Sequence, residues 1–313
     1  MRLKFMIAII TAAFLTAGCS ADKESQQKEV KGEEIIKIYS TVYPLEYFAD
    51  TIGGKYVKVS SVYPPGTDEH TYEPSQKDII DMTEADLFLY IGHGLEGFVT
   101  KADDIFKSED VEMSAVGEKI KLPKASAEDH HEEEHHQHGD VDPHIWMDPE
   151  LAKQMALVIK NDLAAKKPEK KEYFENNYSR LSAKLDQLDN TFKTTINEAG
   201  RKEIIVSHAA YGYWEKRYGL KQISISGLSS SSEPSQKQLK EVVQTAKEHK
   251  INYVFFEQNV SSKLTETIQK EVGAKPLTLH NLAVLTENDI EKKEDYFSLM
   301  NKNLAALKTA LNK

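Results

Sequence analysis

Short apolar runs alternate with amphipathic stretches along most of the chain. Residues 35–42 (IIKIYSTV) and 56–62 (YVKVSSV) are rich in β-branched side chains at alternating positions, which is typical of strands. The run at 86–91 (DLFLYI) is apolar after Asp86, as expected for a strand buried in a parallel sheet. A short helical pattern occupies residues 76–84. This alternation predicts βαβ units.

The second half of the chain repeats the alternation. Strands are predicted at 203–207 (EIIVS), 222–225 (QISI), 252–256 (NYVFF) and 275–279 (KPLTL). Helical patterns fill the intervals, including residues 235–250 after Pro234, and the last amphipathic helix is predicted at about 295–311. A second parallel sheet with flanking helices follows from this pattern.

A long polar segment separates the two halves. Within residues 168–197, apolar side chains recur at steps of three and four residues, which predicts one helix of about 30 residues and roughly 45 Å. The apolar seam is too short for a sustained coiled coil. We therefore predict an α/β fold of two lobes, each a mostly parallel sheet flanked by helices, joined by one long rigid backbone helix.

Length and composition agree with two lobes. The chain has 313 residues, of which 40% are apolar, and this suffices for two compact cores. We predict an N-terminal lobe at 35–165, a linking helix at 166–198 and a C-terminal lobe at 199–313. The net charge of −10 argues against nucleic-acid binding. We expect a monomer.

The N-terminal segment has the features of an export signal. Residues 1–18 carry Arg2 and Lys4 before an apolar run that is shorter than the about 20 residues of a membrane span. The sequence LTAGC, ending at Cys19, is similar to a bacterial lipobox, which implies cleavage before Cys19 and a lipid on its sulfur. An ordinary signal peptide is the alternative. Residues 19–34 form a polar tether. We expect a protein anchored on the extracytoplasmic face of a bacterial, Gram-positive cell membrane.

The single cysteine excludes an intramolecular disulfide and thiolate zinc sites, so the histidines are the candidate metal ligands. Five of them lie in a polar, glutamate-containing loop at 128–140. They are His130, His131, His135, His136 and His138. A solvated acidic linker is the plain alternative. The composition favours weak, reversible capture of zinc, because a disordered segment offers no preset geometry.

Four single histidines stand out by their positions. His70 lies in the loop after a predicted strand, and His144 lies between Pro143 and Pro149. His208 directly follows EIIVS, and His280 directly follows KPLTL. Ligands of parallel α/β sheets bind beyond the carboxyl ends of the strands. If the lobes face each other across a cleft, all four imidazoles converge there, and imidazole nitrogens suit Zn²⁺.

Nearby carboxylates allow further interpretations. Asp142 and Asp148 could orient histidine ligands through hydrogen bonds or simply form turns.

A zinc hydrolase is a rival function, because three histidines and a water also form a catalytic arrangement. The one HExxH match, residues 131–135 (HEEEH), lies in the polar loop and not in a predicted helix, and Glu69 is the one candidate base beside any of the four single histidines.

Four motifs, in this order, resemble one family. GTDEHTYEPS, DPHIWMDP, SHAAYGYW and PLTLHNLAVLT are similar to motifs of the cluster A-I substrate-binding lipoproteins of zinc ABC importers, the ZnuA/AdcA type. The resemblance covers essentially the whole mature chain. It implies two α/β lobes joined by one long helix, zinc bound between them with little hinge motion, an ABC permease and its ATPase subunit as partners, and no enzymatic activity.

The resemblance also implies the ligands. The three histidine ligands of the family carry over to His70, His144 and His208. Manganese-binding relatives typically have a carboxylate in place of the third histidine, so His208 favours zinc over manganese or iron. The fourth position departs from the pattern: AdcA-like members have a glutamate where this chain has Ala283, and manganese-type members an aspartate where it has His280. We predict His280 as the fourth ligand, with a water or a carboxylate such as Glu69 as alternatives. A surface adhesin on the same scaffold is a further rival.

Overall fold

Two four-stranded sheets organise the chain. The computed structural model describes residues 34–123, 141–259 and 262–312. The strands are β1 (Ile36–Ser40), β2 (Val57–Ser61), β3 (Leu87–Tyr90), β4 (Glu112–Ala115), β5 (Glu203–Val206), β6 (Lys221–Ser224), β7 (Tyr253–Phe256) and β8 (Lys275–Thr278). The first sheet has the order β2-β1-β3-β4 and the second the order β6-β5-β7-β8. All strand pairs are parallel, so each sheet gathers the loops at its carboxyl ends along one edge.

Helices connect and cover the strands. They are α1 (Tyr43–Gly53), α2 (Gln76–Met82), α3 (Gly97–Ser108), α4 (Pro149–Lys166), α5 (Lys171–Asn197), α6 (Gly212–Tyr218), α7 (Gln236–Glu248), α8 (Lys263–Val272), α9 (Glu287–Glu291) and α10 (Tyr296–Leu311). Short 3₁₀ helices occupy Gly54–Tyr56, Ile145–Met147 and Pro168–Lys170. None of the helices in the described ranges combines the length and the hydropathy that spanning a bilayer requires.

The loops after β2 and β6 are built alike. Each ends in the sequence EPSQK, at residues 73–77 and 233–237. The serine of each copy caps the helix that follows: Ser75 accepts from the backbone N–H at the third position of α2, and Ser235 does the same in α7. Both caps are completed as capping boxes. The two halves therefore share a β–loop–α unit in addition to their strand order.

One apolar core extends through both halves. Helix α5 packs against α1 and α4 on one side and against α6 and α10 on the other. Its buried Phe192 lies 5.0 Å from the Trp214 ring and 5.4 Å from the Tyr218 ring, between centroids. A smaller cluster belongs to the second sheet and its helices: Ile205, Ile225, Val242, Ala246, Ile251, Val254, Ile268 and Ala274. Helix α5 thus packs against helices of both halves and contributes buried side chains to their common core.

An ion pair between buried Asp148 and half-buried Arg217 also joins the two halves. Asp148 caps α4 by accepting from the backbone of Glu150 and Leu151, and Arg217 of α6 donates Nε–H to its Oδ2 at 2.5 Å. Tyr218 donates to Asp189 of α5 at 3.0 Å. Asp148 therefore connects elements of the two halves and does not orient a histidine.

The predicted fold class is confirmed, with two adjustments. Strand β4 was absent from the sequence prediction, because its four residues, EMSA, carry almost no apolar alternation. The linking helix is α5 alone, 27 residues or about 40 Å, because Lys167 leaves the helical conformation (φ −139°) before Pro168. The boundaries at 35–165, 166–198 and 199–313 stay predictions. Residues 1–33 and the loop at 128–140 lie outside the described residues.

Candidate metal centre

Three imidazole rings meet beyond the carboxyl ends of the strands. Nε2 of His144 lies 3.3 Å from Nε2 of His70 and 3.2 Å from Nε2 of His208. The three ring centroids are 5.0–5.5 Å apart. His144 and His208 are fully buried, and 7% of the His70 side chain is exposed. The nitrogens therefore form one compact group with a single partly accessible member.

Local backbone structure presents each ring. His70 lies in the loop after β2, where its backbone N–H donates to Asp68 at 2.9 Å. His144 immediately precedes the 3₁₀ helix Ile145–Met147. His208 follows β5 by two residues, and β5 is central in its sheet. Two histidines inferred from strand ends, His70 and His208, therefore lie together with His144, which was inferred from its flanking prolines.

Two carboxylates fix the orientation of two of these rings. Asp142 Oδ1 accepts from the backbone N–H of His144 at 2.9 Å and lies 2.8 Å from its Nδ1. Oε1 of Glu257 lies 2.5 Å from Nδ1 of His208. A carboxylate at Nδ1 places the proton there, which leaves the Nε2 lone pair free for a cation. Both Nε2 lone pairs are thus directed into the group.

Glu69 is the fourth member of the cluster. Its carboxylate is buried, and Oε1 lies 3.9 Å from Nε2 of His70. Burial raises the pKa of Glu69 to about 8. One ligand atom from each of Glu69, His70, His144 and His208 lies within 4.8 Å of the others, and no second group of this kind occurs among the described residues.

The imidazoles differ in proton affinity. Burial, together with the adjacent His144 and His208, lowers the pKa of His70 to about 3. Burial also acts to lower the pKa of His208, but the hydrogen bond and charge of Glu257 outweigh it, so this pKa is raised. The same pairing lowers the pKa of Glu257 despite its burial. A protonated His208 would donate Nε2–H towards His144, so a proton competes for the position of a cation.

The spacing of the nitrogens fits a small tetrahedral ion. Zn–N bonds of about 2.0–2.1 Å in a tetrahedron place neighbouring ligand atoms roughly 3.3–3.4 Å apart. The two Nε2–Nε2 distances, 3.3 and 3.2 Å, match this edge. Oε1 of Glu69, 3.9 Å from Nε2 of His70, is farther away and would need to move closer to complete the tetrahedron. The arrangement can hold one divalent cation through three nitrogens and one oxygen.

His280 does not join this cluster. Its Nδ1 accepts from the backbone N–H of Leu282 at 2.9 Å, and its Nε2 lies 3.2 Å from Oδ2 of Asp289. Its backbone N–H and C=O both bond to Asn303 at 2.8 Å. Both ring nitrogens are therefore engaged in holding the loop after β8, and the structure offers Glu69 in place of His280 as the fourth donor.

Two residues of this centre were not singled out from the sequence. Glu257 follows β7 directly, and β7 pairs with β5 in the sheet, so the strand-end argument applied to His208 would also have found it. Asn281 lies next to His280 and donates to both Glu69 and Glu257 at 2.9 Å. No sequence signal distinguishes Asn281 from an ordinary loop asparagine. The predicted capture histidines at 130–138 and Cys19 lie outside the described residues.

Comparison with known proteins places the chain in a family. The family model described as "Zinc-uptake complex component A periplasmic" matches residues 38–310. The chain belongs to this family. Among curated members, it is 35% identical over 308 residues to the "High-affinity zinc uptake system protein ZnuA" of Bacillus subtilis, covering 97% of this chain and 96% of that protein.

A second relative of the zinc-uptake family is longer. The chain is 37% identical over 312 residues to the "Zinc-binding lipoprotein AdcA" of Streptococcus pneumoniae, covering 98% of this chain. It spans only 60% of the length of that relative. The solved structure of the Zn(II)-bound ZnuA-like domain of the same AdcA is similar, with a TM-score of 0.74 and 35% identity over 89% of this chain and 100% of that one.

Proposed function

We propose that the chain is the extracytoplasmic substrate-binding component of a zinc ABC importer. Zn²⁺ is its substrate, held by Nε2 of His70, His144 and His208 and by the carboxylate of Glu69. The observation that carries the proposal is the pair of Nε2–Nε2 distances, 3.2 and 3.3 Å, which match a tetrahedron around zinc. The named zinc-uptake relatives support the same substrate.

The set of ligand atoms favours zinc over manganese and magnesium. Three imidazoles and one carboxylate suit zinc, whereas manganese and magnesium prefer oxygen-rich, octahedral sites. Hydrogen bonds from Nδ1 to Asp142 and Glu257 increase the donor strength of two of the imidazoles. The manganese alternative is therefore the weaker one for this chain, and iron is separated from zinc by the named zinc-uptake relatives.

A binding role also suits the closed shape of the centre. A hydrolytic zinc keeps one position open for water, whereas here four protein donors face one another. Glu69, the sole candidate base in the sequence prediction, is buried within the same group. The arrangement supports storage and transfer of the ion rather than hydrolysis.

Delivery of the zinc ion requires a membrane transporter and a protein that is held beside it. We propose that the ion passes to a membrane permease with its ATPase subunit, and that a lipid on Cys19 keeps the monomeric protein at the outer face of the cell membrane. The loop histidines His130, His131, His135, His136 and His138 would capture zinc weakly and reversibly. The names of the zinc-uptake and lipoprotein relatives support this arrangement.

Competitive metal titration tests the proposal. A soluble form without residues 1–19 is titrated with Zn²⁺ and Mn²⁺ against chromophoric chelators, beside the variants His208→Ala and His249→Ala. His249 lies at the exposed end of α7 and serves as the matched control. We expect tight one-to-one zinc binding that weakens by more than about 100-fold in His208→Ala, beyond the roughly 10–100-fold effect of losing an outer hydrogen-bond partner. Preference for manganese, or zinc binding that is indifferent to His208, would overturn the proposal.

A further inference from the structure

Asn281 lies between the two buried glutamates of the metal centre. Its Nδ2 atom donates one hydrogen to Oε1 of Glu69 and one to Oε2 of Glu257, both at 2.9 Å. Glu257 in turn holds His208 through its other oxygen. One neutral side chain therefore links the oxygen donor of the centre to the carboxylate that orients its third imidazole.

The Asn281 side chain is itself held in one orientation. Its Oδ1 accepts from the backbone N–H of Ala283 at 3.0 Å and from Nε2 of Gln258 at 2.9 Å. A backbone N–H can only donate, so the atom facing Ala283 must be the oxygen, and the NH₂ group must face the glutamates. Asn281 is fully buried, and a rotated amide would leave several of these groups unsatisfied.

The backbone of Asn281 extends the connection to His144. Its C=O accepts from Nε1–H of Trp146 at 2.6 Å, and the Trp146 ring lies 5.5 Å from the His144 ring, between centroids. Asn281 thus contacts Glu69 directly, His208 through Glu257, and the segment of His144 through Trp146. A shift of this residue would move donors from both halves of the chain.

We propose that Asn281 is a positioning residue that restricts Glu69 to a single metal–oxygen bond and thereby sets the preference of the site for a four-coordinate ion. This inference rests on the proposed function. The Glu69 oxygen that accepts from Asn281 is the one measured 3.9 Å from His70. With that oxygen fixed, both carboxylate oxygens cannot approach the ion equally, as two-oxygen binding requires. Zn²⁺ needs only the one bond, whereas Mn²⁺ gains from additional oxygen ligands.

The neutral amide has a second effect on the same site. Glu69 and Glu257 both lie within hydrogen-bond distance of one NH₂ group, so their carboxylates are close neighbours in a buried environment. When Glu69 loses its proton on metal binding, the two donated hydrogens offset the repulsion between the two carboxylates. Aspartate at position 281 would keep an acceptor for Ala283 and Gln258 but would replace both donated hydrogens with a third negative charge.

Asn281→Asp is therefore the sharp test, and Asn303→Asp is its matched control. Asn303 is also buried and anchors the same loop, through the backbone of His280, but no hydrogen bond joins it to either glutamate. Residues 20–313 of each variant are loaded with Co²⁺. The visible absorption of this ion is strong in four-coordinate sites and weak in six-coordinate sites. Zn²⁺ and Mn²⁺ affinities are measured by competition on the same samples.

We expect Asn281→Asp to weaken the Co²⁺ absorption and to reduce the ratio of zinc to manganese affinity by about 10–100-fold. Asn303→Asp should leave both unchanged, even where it lowers the melting temperature. Asn281→Ala adds no buried charge and should shift both readouts in the same direction if the aspartate variant does not fold. In a Glu69→Gln background the additional effect of Asn281→Asp on selectivity should largely disappear, because the two substitutions act on one contact.

Two results would overturn the inference. The first is an unchanged Co²⁺ spectrum and an unchanged affinity ratio in a folded Asn281 variant; the second is an equal change in Asn303→Asp, which would assign the effect to the loop as a whole. Failure of the proposed function looks different, because the unsubstituted protein would then lack tight zinc binding.

Discussion

Glu257 and His208 follow the neighbouring strands β7 and β5, and their side chains meet at 2.5 Å between Oε1 and Nδ1. Ser207, on the same turn as His208, donates to the same Oε1 atom. Both residues are buried, so the charge of this carboxylate is stabilised by these two partners at Oε1 and by Asn281 at Oε2. The pair fixes which nitrogen of His208 faces the ion.

The first prediction concerns this carboxylate. Glu257→Gln keeps the shape but removes the charge that holds the proton on Nδ1, so we expect zinc affinity to fall by about 10–100-fold. The pKa of His208 should fall as well, because Glu257 is what raises it. Competition titration measures the first effect, and NMR titration of the metal-free protein measures the second.

Glu96→Gln is the control for this experiment. Glu96 is also a buried glutamate, but it accepts from Thr41 and from the backbone of Ile91 and Gly92, in the first half of the chain. Its substitution should leave zinc affinity unchanged. Equal losses in both variants would mean that the effect reflects general destabilisation and not the orientation of His208.

The second prediction is a fall in zinc affinity with acidification. His70, with a pKa lowered to about 3, stays neutral throughout the range from pH 8 to 5 and adds no dependence there. His208 has a raised pKa and Glu69 a pKa of about 8, so both bind protons that zinc must displace. Affinity should therefore decrease as the pH falls below about 8.

Calorimetry in buffers of different ionisation enthalpy checks this mechanism. Zinc binding at pH 7 should release protons, and Glu69→Gln should reduce the number released. Zinc affinity that is the same at pH 7.5 and pH 5 would contradict the assignment of these groups.

The third prediction separates His280 from the metal. His280→Ala removes the hydrogen bonds to Leu282 and Asp289, so we expect a loss of about 1–3 kcal/mol in the free energy of unfolding, because buried partners are left unsatisfied. Zinc affinity should stay at the level of the unsubstituted protein. Denaturant unfolding and metal competition measure the two quantities. A collapse of zinc binding with intact stability would reinstate His280 as the fourth ligand and exclude Glu69.

The fourth prediction concerns the histidine-rich loop. Deletion of residues 129–138 should preserve tight one-to-one zinc binding, because the proposed ligands His70, His144 and His208 all remain. The weaker additional zinc equivalents should disappear, and equilibrium dialysis at several zinc concentrations counts them. A deletion that abolished the tight site would place part of that site in the loop.

Strand-end positions explain why much of the centre could be predicted. His208 follows an apolar run that could only be a buried strand, and parallel strands direct their following loops to one edge. Glu257 also follows a strand directly, but a glutamate is a less specific signal for a zinc site than a histidine. Its role as an outer partner depends on the pairing of β5 with β7, which sequence alone does not specify.

The loop after β8 is the part of the site that the sequence specifies least. His280 and Asn281 are adjacent, and a sequence does not determine which of two neighbouring side chains faces a cleft. Here Leu282 has a left-handed backbone (φ +61°), and the turn it makes brings its N–H to the His280 ring. Asn281 then faces Glu69. The backbone conformation of this turn therefore decides which of the two side chains faces Glu69, and no residue type in the segment requires that conformation.

The shared apolar core has a consequence for the exchange of the ion. Opening the two halves as rigid bodies would separate Phe192 from Trp214, break the ion pair between Arg217 and Asp148, and expose apolar surface to water. A rearrangement confined to one loop would leave this apolar core and the ion pair intact. The loop that carries Glu69 and His70 is joined to the second half by polar contacts, such as Ser230 to Asp68 at 2.5 Å and Asn259 to the C=O of Thr67 at 2.7 Å. We therefore expect release of the ion to require a local movement of this loop rather than separation of the two halves.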